Sequence, residues 1–212
     1  MKLFLDSANL DEIRAVAATG LIEGLTTNPT LLARERVRRE EFVPAACALV
    51  QGPVSVPVRS LEAEAIVQEG RTLAKLHDAV VVKIGIDPQG LRAIAKLQSE
   101  GIRTHATLCC SSAQALLAAR AGAHFVSPLL GRLEDLGEPA LDLVAQIIEI
   151  YDNYEFDTQI MVASVRSVWH VQEAARLGAD AATLPGPLLD GLARHPLTVS
   201  LQERFQAEWK RR

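Results

Sequence analysis

The sequence contains few cysteines and no long apolar segment. Its three cysteines are Cys47, Cys109 and Cys110, an odd number without metal-ligand spacing, and two adjacent cysteines rarely pair with each other because the geometry is strained. We therefore predict reduced thiols in a cytoplasmic protein. The apolar runs are too short to cross a bilayer. An acidic residue, Asp6, comes too early in the chain for the core of a signal peptide.

The sequence also lacks a surplus of positive charge and a glycine-rich phosphate fingerprint. A net charge of −4 gives no reason to expect nucleic acid or an anionic membrane as a partner. Three histidines have no cysteine or carboxylate at metal-site spacing, so we interpret them as fillers of the core or surface. They are His105, His124 and His170. The chain has 212 residues and is 49% hydrophobic, and no linker divides it, so we predict one globular domain over residues 1–212.

Short β-type runs alternate with helical segments from end to end. The predicted strands are Lys2–Leu5, Ile22–Thr26, Val54–Val58, Ala79–Ile86, Arg103–Leu108, His124–Ser127, Gln159–Ala163 and Ala181–Leu184. The predicted helices are Asn9–Ala18, Glu40–Val50, Glu62–His77, Pro88–Glu100, Ser111–Ala121, Leu141–Tyr151, Val168–Leu177, Leu188–Ala193 and Val199–Trp209. This pattern predicts an α/β fold, a single-domain (β/α)8 TIM barrel with an extra C-terminal helix. The alternative is a doubly wound open sheet, whose phosphate fingerprint is absent.

Lys83 has the most informative position of the basic residues. It lies in Ala79–Ile86, a run so apolar that we predict a strand buried on both faces, and only five of the 22 basic residues are lysines. Burial disfavours the ammonium form and lowers the pKa of a lysine, which then becomes a nucleophile toward carbonyls and can form a Schiff base. The alternatives are a lysine paired with a buried carboxylate and a lysine that snorkels out of the strand end.

Other polar residues follow the predicted strands, where the catalytic groups of a (β/α)8 barrel gather. They are Asp6, Thr26, Thr27, Asn28, Thr107, Arg132, Ser164 and Arg166. We expect these residues to meet at one face of the barrel. Structural interpretations remain open, because Asp6 could cap the next helix, Asn28 could form a simple turn and Thr107 could fill its strand. The two arginines could be solvated surface residues.

Seven segments along the chain form a recognisable series. They are Leu5–Asn9, Thr26–Thr30, Val81–Ile84, Gln114–Ala123, Val126–Arg132, Ala163–Arg166 and His195–Thr198. In content and order this series resembles the short-chain transaldolase / fructose-6-phosphate aldolase family, and the resemblance covers essentially the whole chain. The T-T-N-P segment, the lysine of the fourth strand and S-P-x-x-G-R are its most specific parts.

The resemblance implies class I aldolase chemistry in the pentose phosphate pathway, with no metal and no organic cofactor. Lys83 would attack the C2 ketone of a ketose donor, and the resulting iminium would allow the C3–C4 bond to break, while Asp6 would shuttle protons. The other implied roles belong to Asn28, Thr27 and Ser164 for the dihydroxyacetone hydroxyls, Thr107 for the catalytic water, and Arg132 and Arg166 for the phosphate of the acceptor. Guanidinium groups suit this last task because they bind phosphate bidentately.

Four positions depart from the family pattern. Pro57 stands where a glutamate or glutamine positions the water together with Thr107, and we expect the proline to force a local bulge in its strand. Gly85 stands where proline is usual, and Asp87 stands where threonine is usual. Leu129 stands where the aldolases have tyrosine and the transaldolases have phenylalanine. These departures leave Schiff-base formation intact and bear on water handling and on the choice of acceptor.

We therefore predict a transaldolase-like transferase that moves a dihydroxyacetone unit from a ketose phosphate to an aldose phosphate. The donors would be fructose 6-phosphate or sedoheptulose 7-phosphate. Leu129 favours transfer, because it offers no hydroxyl to help release water or protonate the carbanion. The alternatives are a fructose-6-phosphate aldolase, an aldolase with a non-phosphorylated partner, and a catalytically weak paralogue that binds sugar phosphates, which Pro57 and Gly85 favour.

The final helix, about residues 198–212, carries an apolar stripe of Val199, Leu201, Phe205 and Trp209. Such a stripe must be buried, either against its own barrel or against another subunit. The resemblance implies pentameric rings, often stacked as decamers, in which this helix reaches a neighbour. We therefore predict a homopentamer or homodecamer whose other partners are sugar-phosphate substrates.

Overall fold

Eight parallel strands form the centre of the molecule, whose residues 1–211 are described by a computed structural model. The strands are β1 (Lys2–Asp6), β2 (Gly24–Thr26), β3 (Val54–Pro57), β4 (Val80–Gly85), β5 (Thr104–Cys109), β6 (Phe125–Pro128), β7 (Gln159–Val162) and β8 (Ala181–Leu184). They pair in chain order, and β8 pairs with β1 to close the barrel. The prediction of a (β/α)8 barrel is confirmed, and the open doubly wound sheet is wrong.

Helices surround this barrel and extend beyond it. They are α1 (Leu10–Ala17), α2 (Pro29–Glu35), α3 (Arg39–Leu49), α4 (Ala63–Ala74), α5 (Pro88–Ser99), α6 (Ser112–Arg120), α7 (Leu130–Glu134), α8 (Ala140–Asn153), α9 (Val168–Leu177), α10 (Gly186–Leu192) and α11 (Pro196–Trp209). The sequence patterns do not predict α2 and α7, which are short and follow β2 and β6 directly. The predicted C-terminal helix extends to Arg212, which lies outside the described residues. None of the helices within residues 1–211 combines the length and apolarity needed to cross a membrane.

Side-chain caps start the helices immediately after the strands. The carboxylate of Asp87 accepts the backbone N–H of Gly90 at 2.7 Å at the start of α5. The hydroxyls of Ser111 and Ser167 cap α6 and α9 in the same way. Each cap satisfies a backbone donor that has no partner within the helix. Short capped connections therefore hold the C-terminal ends of the strands, and the side chains that follow them, in defined positions.

A small apolar cluster plugs the N-terminal end of the barrel interior. Phe4, Val81, Phe125, Met161 and Ala181 make up this cluster, and all are buried. The Phe4 and Phe125 rings meet edge to face with centroids 5.7 Å apart. The larger apolar core lies between the outer face of the sheet and the helices. Because the plug closes one end, the polar side chains inside the barrel are reached from the other end, where the strands finish.

Pro57 does not produce the bulge that we expect of a proline in an interior strand. β3 pairs with β4 in unbroken register up to Pro57, which lies opposite Lys83. The nitrogen of Val58 donates to the carbonyl of Lys83, so strand alternation turns the Pro57 nitrogen the other way, toward β2. Pairing between β2 and β3 already ends at Ser55. The predicted bulge is wrong because the proline removes no donor that the ladder uses here.

The irregularity lies in β5 instead. Between Ala106 and Cys109, β5 uses one residue more than the paired stretch of β6. Leu108 within this bulge has φ of 62°, a conformation that is rare for a bulky L-residue. Bulges and strained residues of this kind occur preferentially next to active sites. This bulge lies at the C-terminal end of the barrel, directly after Thr107.

Candidate active site

Lys83 projects into the barrel interior from the middle of β4. Val81, two residues earlier, belongs to the interior plug, and side chains two apart in a strand point to the same face. Its register neighbours are Pro57 on β3 and His105 on β5. Burial lowers the pKa of Lys83 below its ordinary value, and the nearby carboxylate of Asp6 partly opposes that shift. The site therefore favours the neutral, nucleophilic amine more than water does.

Asp6 faces the same space from the end of β1. Its oxygens accept hydrogen bonds from the Thr26 hydroxyl at 2.8 Å and from the Asn28 amide at 3.4 Å. Burial raises the pKa of Asp6, while the charge of Lys83 and the two hydrogen bonds act in the opposite direction. The pKa of the carboxyl group is raised and that of the lysine is lowered, so the two values lie closer together than in water, which favours proton exchange between the two groups. The structural interpretation of Asp6 as a cap fails, because Asn9 caps α1.

Asn28 is both a helix cap and part of the pocket wall. Its side-chain oxygen accepts the backbone N–H of Leu31 at 3.0 Å at the start of α2. This contact commits the oxygen to the helix and leaves the amide nitrogen to face Asp6. The turn that the sequence suggests at Asn28-Pro29 is therefore present, and it also orients a donor into the site.

Thr26, rather than Thr27, lines the pocket. The Thr26 hydroxyl contacts the carboxylate of Asp6 and, at 2.6 Å, the hydroxyl of Thr183 on β8. Thr27 is fully buried, and its hydroxyl has no hydrogen-bond partner among residues 1–211. The alternation of side chains along a strand explains why the two threonines differ. Thr26 pairs in register with Asp6 and must therefore face the barrel interior as Asp6 does, whereas the next residue points the other way. The substrate contact predicted for Thr27 receives no support from this arrangement.

Buried His105 lies beside Lys83 on the neighbouring strand β5. The Ser127 hydroxyl donates its single proton to the carbonyl of Met161 at 2.7 Å, so it accepts from Nε2 of His105 at 2.7 Å. Nδ1 of His105 then accepts from the hydroxyl of Ser55 at 2.9 Å. Burial, followed by the charge of Lys83, holds the pKa of His105 well below its ordinary value. This residue is more than a core filler, because it links three strands with a fixed tautomer.

Thr107 lies one step further toward the barrel opening. It pairs in register with Gly85, and its carbonyl accepts the backbone N–H of Ile86 at 2.9 Å. Its side chain is partly buried. The carboxylate of Asp87, by contrast, is exposed and is engaged in capping α5. The arrangement therefore brings Thr107 to the site, whereas the Asp87 carboxylate is committed to the helix cap.

Arg132 and Arg166 lie close together on a separate part of the opening. The backbone N–H of Gly131 on α7 donates to the carbonyl of Ser164 at 3.0 Å, and Ser164 adopts a left-handed conformation with φ of 56°. A Cβ built on Gly131 would come within 2.4 Å of Nε of Arg166, so α7 packs directly on that side chain. The predicted residues Arg132, Ser164 and Arg166 are thus brought together, although α7 itself was not predicted.

Two carboxylates contact this second group of residues. Both terminal nitrogens of Arg166 donate to Asp135 at 2.5 Å, and these hydrogen bonds lower the pKa of Asp135. His170 is buried, accepts the backbone N–H of Arg166 at 3.2 Å on Nδ1 and contacts Glu134 through Nε2 at 2.9 Å. Neither Asp135 nor Glu134 is among the site residues predicted from the sequence, and His170 is predicted only as a filler of the core or surface. No local pattern distinguishes these residues, because their partners lie more than thirty positions away.

The pocket thus combines an amine with a lowered pKa, a carboxyl group with a raised pKa, amide and hydroxyl donors, and a cationic patch at its opening. Within residues 1–211, no group of three or more His, Cys, Asp or Glu side chains is arranged to hold a metal ion. This set of groups suits covalent chemistry on a carbonyl compound that carries hydroxyl groups and a negative charge.

Comparison with known proteins assigns the family. A family model described as Transaldolase/Fructose-6-phosphate aldolase matches residues 3–211. The chain belongs to this family. A protein named probable transaldolase from Myxococcus xanthus (strain DK1622) is 50% identical over 212 residues, which cover 100% of this chain and 95% of that protein. A probable transaldolase from Desulforapulum autotrophicum is 48% identical over 212 residues, with 100% and 99% covered.

A solved structure outside the transaldolase/fructose-6-phosphate aldolase family shares the fold. A thiamine phosphate pyrophosphorylase from Pyrococcus furiosus matches with a TM-score of 0.60 over 87% of this chain and 85% of that one. The two sequences are 17% identical, so this likeness concerns the barrel alone. Family membership, by contrast, rests on the whole sequence and makes this chain an aldolase-type enzyme.

Proposed function

We propose that this protein is a transaldolase that transfers a dihydroxyacetone unit from a ketose phosphate to an aldose phosphate through a Schiff base on Lys83. The observation that carries the proposal is the position of Lys83, inside the barrel, with a pKa lowered by burial and with Asp6 close enough to influence it. The names of the relatives, probable transaldolase, support the same reaction.

The reaction begins when neutral Nζ of Lys83 attacks the C2 carbonyl of the ketose donor. The carbinolamine loses water and becomes an iminium, which accepts the electron pair released when the C3–C4 bond breaks. Asp6 removes the proton from the C4 hydroxyl as that bond breaks, and an aldehyde leaves. The remaining enamine attacks the carbonyl of the incoming aldose phosphate, and Asp6 returns the proton to the new hydroxyl. Water then adds to the iminium that this step regenerates, and the carbinolamine breaks down to release the new ketose phosphate and the free amine of Lys83.

Other residues of the site hold the substrate. The amide nitrogen of Asn28 and the hydroxyl of Ser164 would bind the hydroxyls of the dihydroxyacetone unit. Thr107 would hold the water that leaves and re-enters, with no side-chain acceptor from Pro57 to help it. Arg132 and Arg166 would bind the phosphate of the acceptor, because guanidinium groups pair well with phosphate oxygens. The mechanism requires no organic cofactor, a prediction that assays of the purified chain test directly.

Fructose-6-phosphate aldolase is the second candidate. The two reactions share every step up to the enamine, which the aldolase protonates and releases as dihydroxyacetone. Leu129 favours the transferase, because its side chain has no hydroxyl to deliver a proton or assist water. An assay with fructose 6-phosphate, with and without an aldose phosphate acceptor, separates the two. A transaldolase forms the new ketose phosphate and releases little free dihydroxyacetone, whereas an aldolase releases dihydroxyacetone without an acceptor.

Borohydride trapping tests the covalent mechanism. The purified chain is incubated with fructose 6-phosphate, reduced with borohydride and weighed by mass spectrometry. We expect one adduct with the mass of reduced dihydroxyacetone, located on Lys83 by peptide mapping. A six-carbon adduct would mean that the imine forms without cleavage, and the absence of any adduct would favour the weak sugar-phosphate-binding paralogue.

We further propose that the protein is a cytoplasmic homopentamer or homodecamer. Every described residue from Glu203 to the end of α11 is exposed, and so are the apolar side chains of Leu197, Phe205 and Trp209. Apolar side chains that are exposed in a single subunit gain stability by packing on another one. Light scattering of the full chain tests this proposal, and a mass near 23.0 kDa, that of a single chain, would contradict it.

A further inference from the structure

The two arginines at the opening of the pocket differ in their availability. Arg132 is exposed, and within residues 1–211 no carboxylate forms an ion pair with it. Arg166 uses both terminal nitrogens to bind Asp135 at 2.5 Å. Its remaining Nε edge packs on the backbone of Gly131, where a Cβ would lie only 2.4 Å from that nitrogen. Among residues 1–211, Arg166 therefore has a carboxylate partner and Arg132 has none.

This difference matters for an incoming phosphate. A guanidinium group binds an oxyanion most strongly through two parallel N–H donors. On Arg166 the edge formed by the two terminal nitrogens is occupied by the oxyanion of Asp135, and the other edge is covered by α7. A phosphate must therefore either displace the carboxylate or bind beside it. In both cases the carboxylate opposes phosphate binding, by competing for the donors or by repelling the dianion.

We propose that Asp135 is a specificity-determining residue, which competes with the acceptor's phosphate for Arg166 and so limits the preference for phosphorylated over unphosphorylated acceptors. Arg132 is then the main phosphate-binding residue, and Arg166 contributes fully only when Asp135 releases it. The proposal rests on the function proposed above for the site. It assigns to Asp135 a role that is separate from holding the fold, because the ion pair is half exposed on both sides.

Phosphate binding measures this competition without catalysis. Asp135→Asn keeps the size of the side chain and one acceptor for Arg166, but it removes the negative charge. We expect the Kd for inorganic phosphate, measured by calorimetry, to fall about fivefold, the effect of one unit charge about 4 Å away in a water-rich setting. The control is Glu138→Gln, which removes an equal charge from an exposed residue three positions further along the chain and should leave the Kd unchanged.

Steady-state kinetics test the consequence for acceptors. In Asp135→Asn, we expect the KM for glyceraldehyde 3-phosphate to fall about fivefold while the KM for glyceraldehyde stays unchanged. When Asp135 is present, Arg132→Ala should weaken phosphate binding more than Arg166→Ala does. In the Asp135→Asn background, Arg166→Ala should cost more than it costs in the unmodified protein, because Arg166 is then free to bind the ligand.

Four outcomes would overturn the inference. A higher KM for glyceraldehyde 3-phosphate in Asp135→Asn would mean that Asp135 positions Arg166 for phosphate instead of competing with it. The inference would also be contradicted if the KM changed equally for both acceptors or for neither. The same holds if neither the unmodified protein nor Asp135→Asn bound phosphate measurably. The result is separable from the proposed function, since failure of borohydride trapping at Lys83 rejects the Schiff-base mechanism whereas the calorimetry reports only on the phosphate site.

Discussion

The two ends of the pocket are built differently. The inner end, with Lys83 and Asp6, consists of strand residues whose side chains lie inside the barrel and contact neighbouring strands. The outer end, with Arg132, Asp135 and Arg166, is built on α7 and on the loop after β7, and its charged groups are exposed to water. At the inner end, the ionisable groups of Lys83 and Asp6 lie among buried neighbours. At the outer end, the opposite charges of Asp135 and Arg166 form a solvent-exposed ion pair.

Different physical effects shift the pKa values at the two ends of the pocket. At the inner end, burial is the largest cause of the shifts in the pKa of Lys83, Asp6 and His105. At the outer end, hydrogen bonds to Arg166 are the largest cause of the shift at Asp135, and such exposed pairs are weakened by salt. Chemistry that needs altered protonation therefore belongs at the inner end, whereas the outer end suits reversible recognition of an anion.

Removing the nucleophile of the inner end should have the largest effect. Lys83→Met preserves an apolar stem in the strand but removes the amine, so we expect borohydride trapping to disappear and turnover to fall by several orders of magnitude. Lys75→Met, which changes an exposed lysine at the end of α4, is the matched control and should retain both. Trapping that persists on another lysine in Lys83→Met would reject the assignment.

Removing the free cation of the outer end should have a smaller and more selective effect. Arg132→Ala should raise the KM for phosphorylated acceptors about ten- to a hundredfold, because a charge-assisted hydrogen bond contributes about 1.5–3 kcal/mol. The KM for glyceraldehyde should not change, and neither should the yield of trapping with dihydroxyacetone. Arg120→Ala, on the exposed end of α6, serves as control. Equal losses for both acceptors would make Arg132 a structural residue.

Buried His105 at the inner end should make the free energy of unfolding depend on pH. As the pH falls below about 6.5, an unfolded chain protonates its histidines, whereas buried His105 in the folded protein stays neutral. The folded state then binds fewer protons, so the free energy of unfolding should fall by about 1.4 kcal/mol per pH unit for this residue. His105→Gln keeps an acceptor for Ser55 and a donor for Ser127 without titrating, and it should remove that slope.

Denaturant unfolding between neutral and mildly acidic pH measures this difference. His124→Gln provides a comparison, because burial and then Arg103 also lower the pKa of His124, although its side chain is only partly buried. This second variant should remove a further, smaller part of the acid destabilisation. If His105→Gln loses stability with falling pH as steeply as the unmodified protein, His105 is not the neutral histidine that the hydrogen-bond network implies.

Pro57 should give the smallest effect. It lies opposite Lys83 in register, so Pro57→Gln would introduce an amide beside the amine, and we expect imine formation in a single turnover to become a few times faster. Pro57→Val, which adds no polar group, should not accelerate it. Asp87→Ala should weaken the α5 cap, at a cost of about 1 kcal/mol in stability, without slowing imine formation. Equal rates for the glutamine and valine variants would exclude a role for this position in water handling.

The barrel and the inner end of its pocket are predictable from the sequence alone. Eight β-type runs with helices between them favour a closed barrel over an open sheet, because closure gives each strand an apolar cover on its outer face and a neighbour on each side. Lys83 was identifiable because a cation within an apolar run contradicts its surroundings. Asp6, Asn28 and Thr107 followed from their positions at strand ends. These inferences use short-range patterns, which are present in the chain before it folds.

Contacts between side chains of different elements, by contrast, are set by the folded structure. It turned Thr26 rather than Thr27 toward Asp6, and it put the bulge in β5 instead of at Pro57. It also brought Asp135 onto Arg166 from 31 positions away. Such contacts depend on the register of neighbouring strands and on short helices such as α7, which leave no periodic pattern in the sequence. The lysine inside the barrel is therefore identifiable from the sequence, whereas the pairing of Asp135 with Arg166 emerges only when the chain folds.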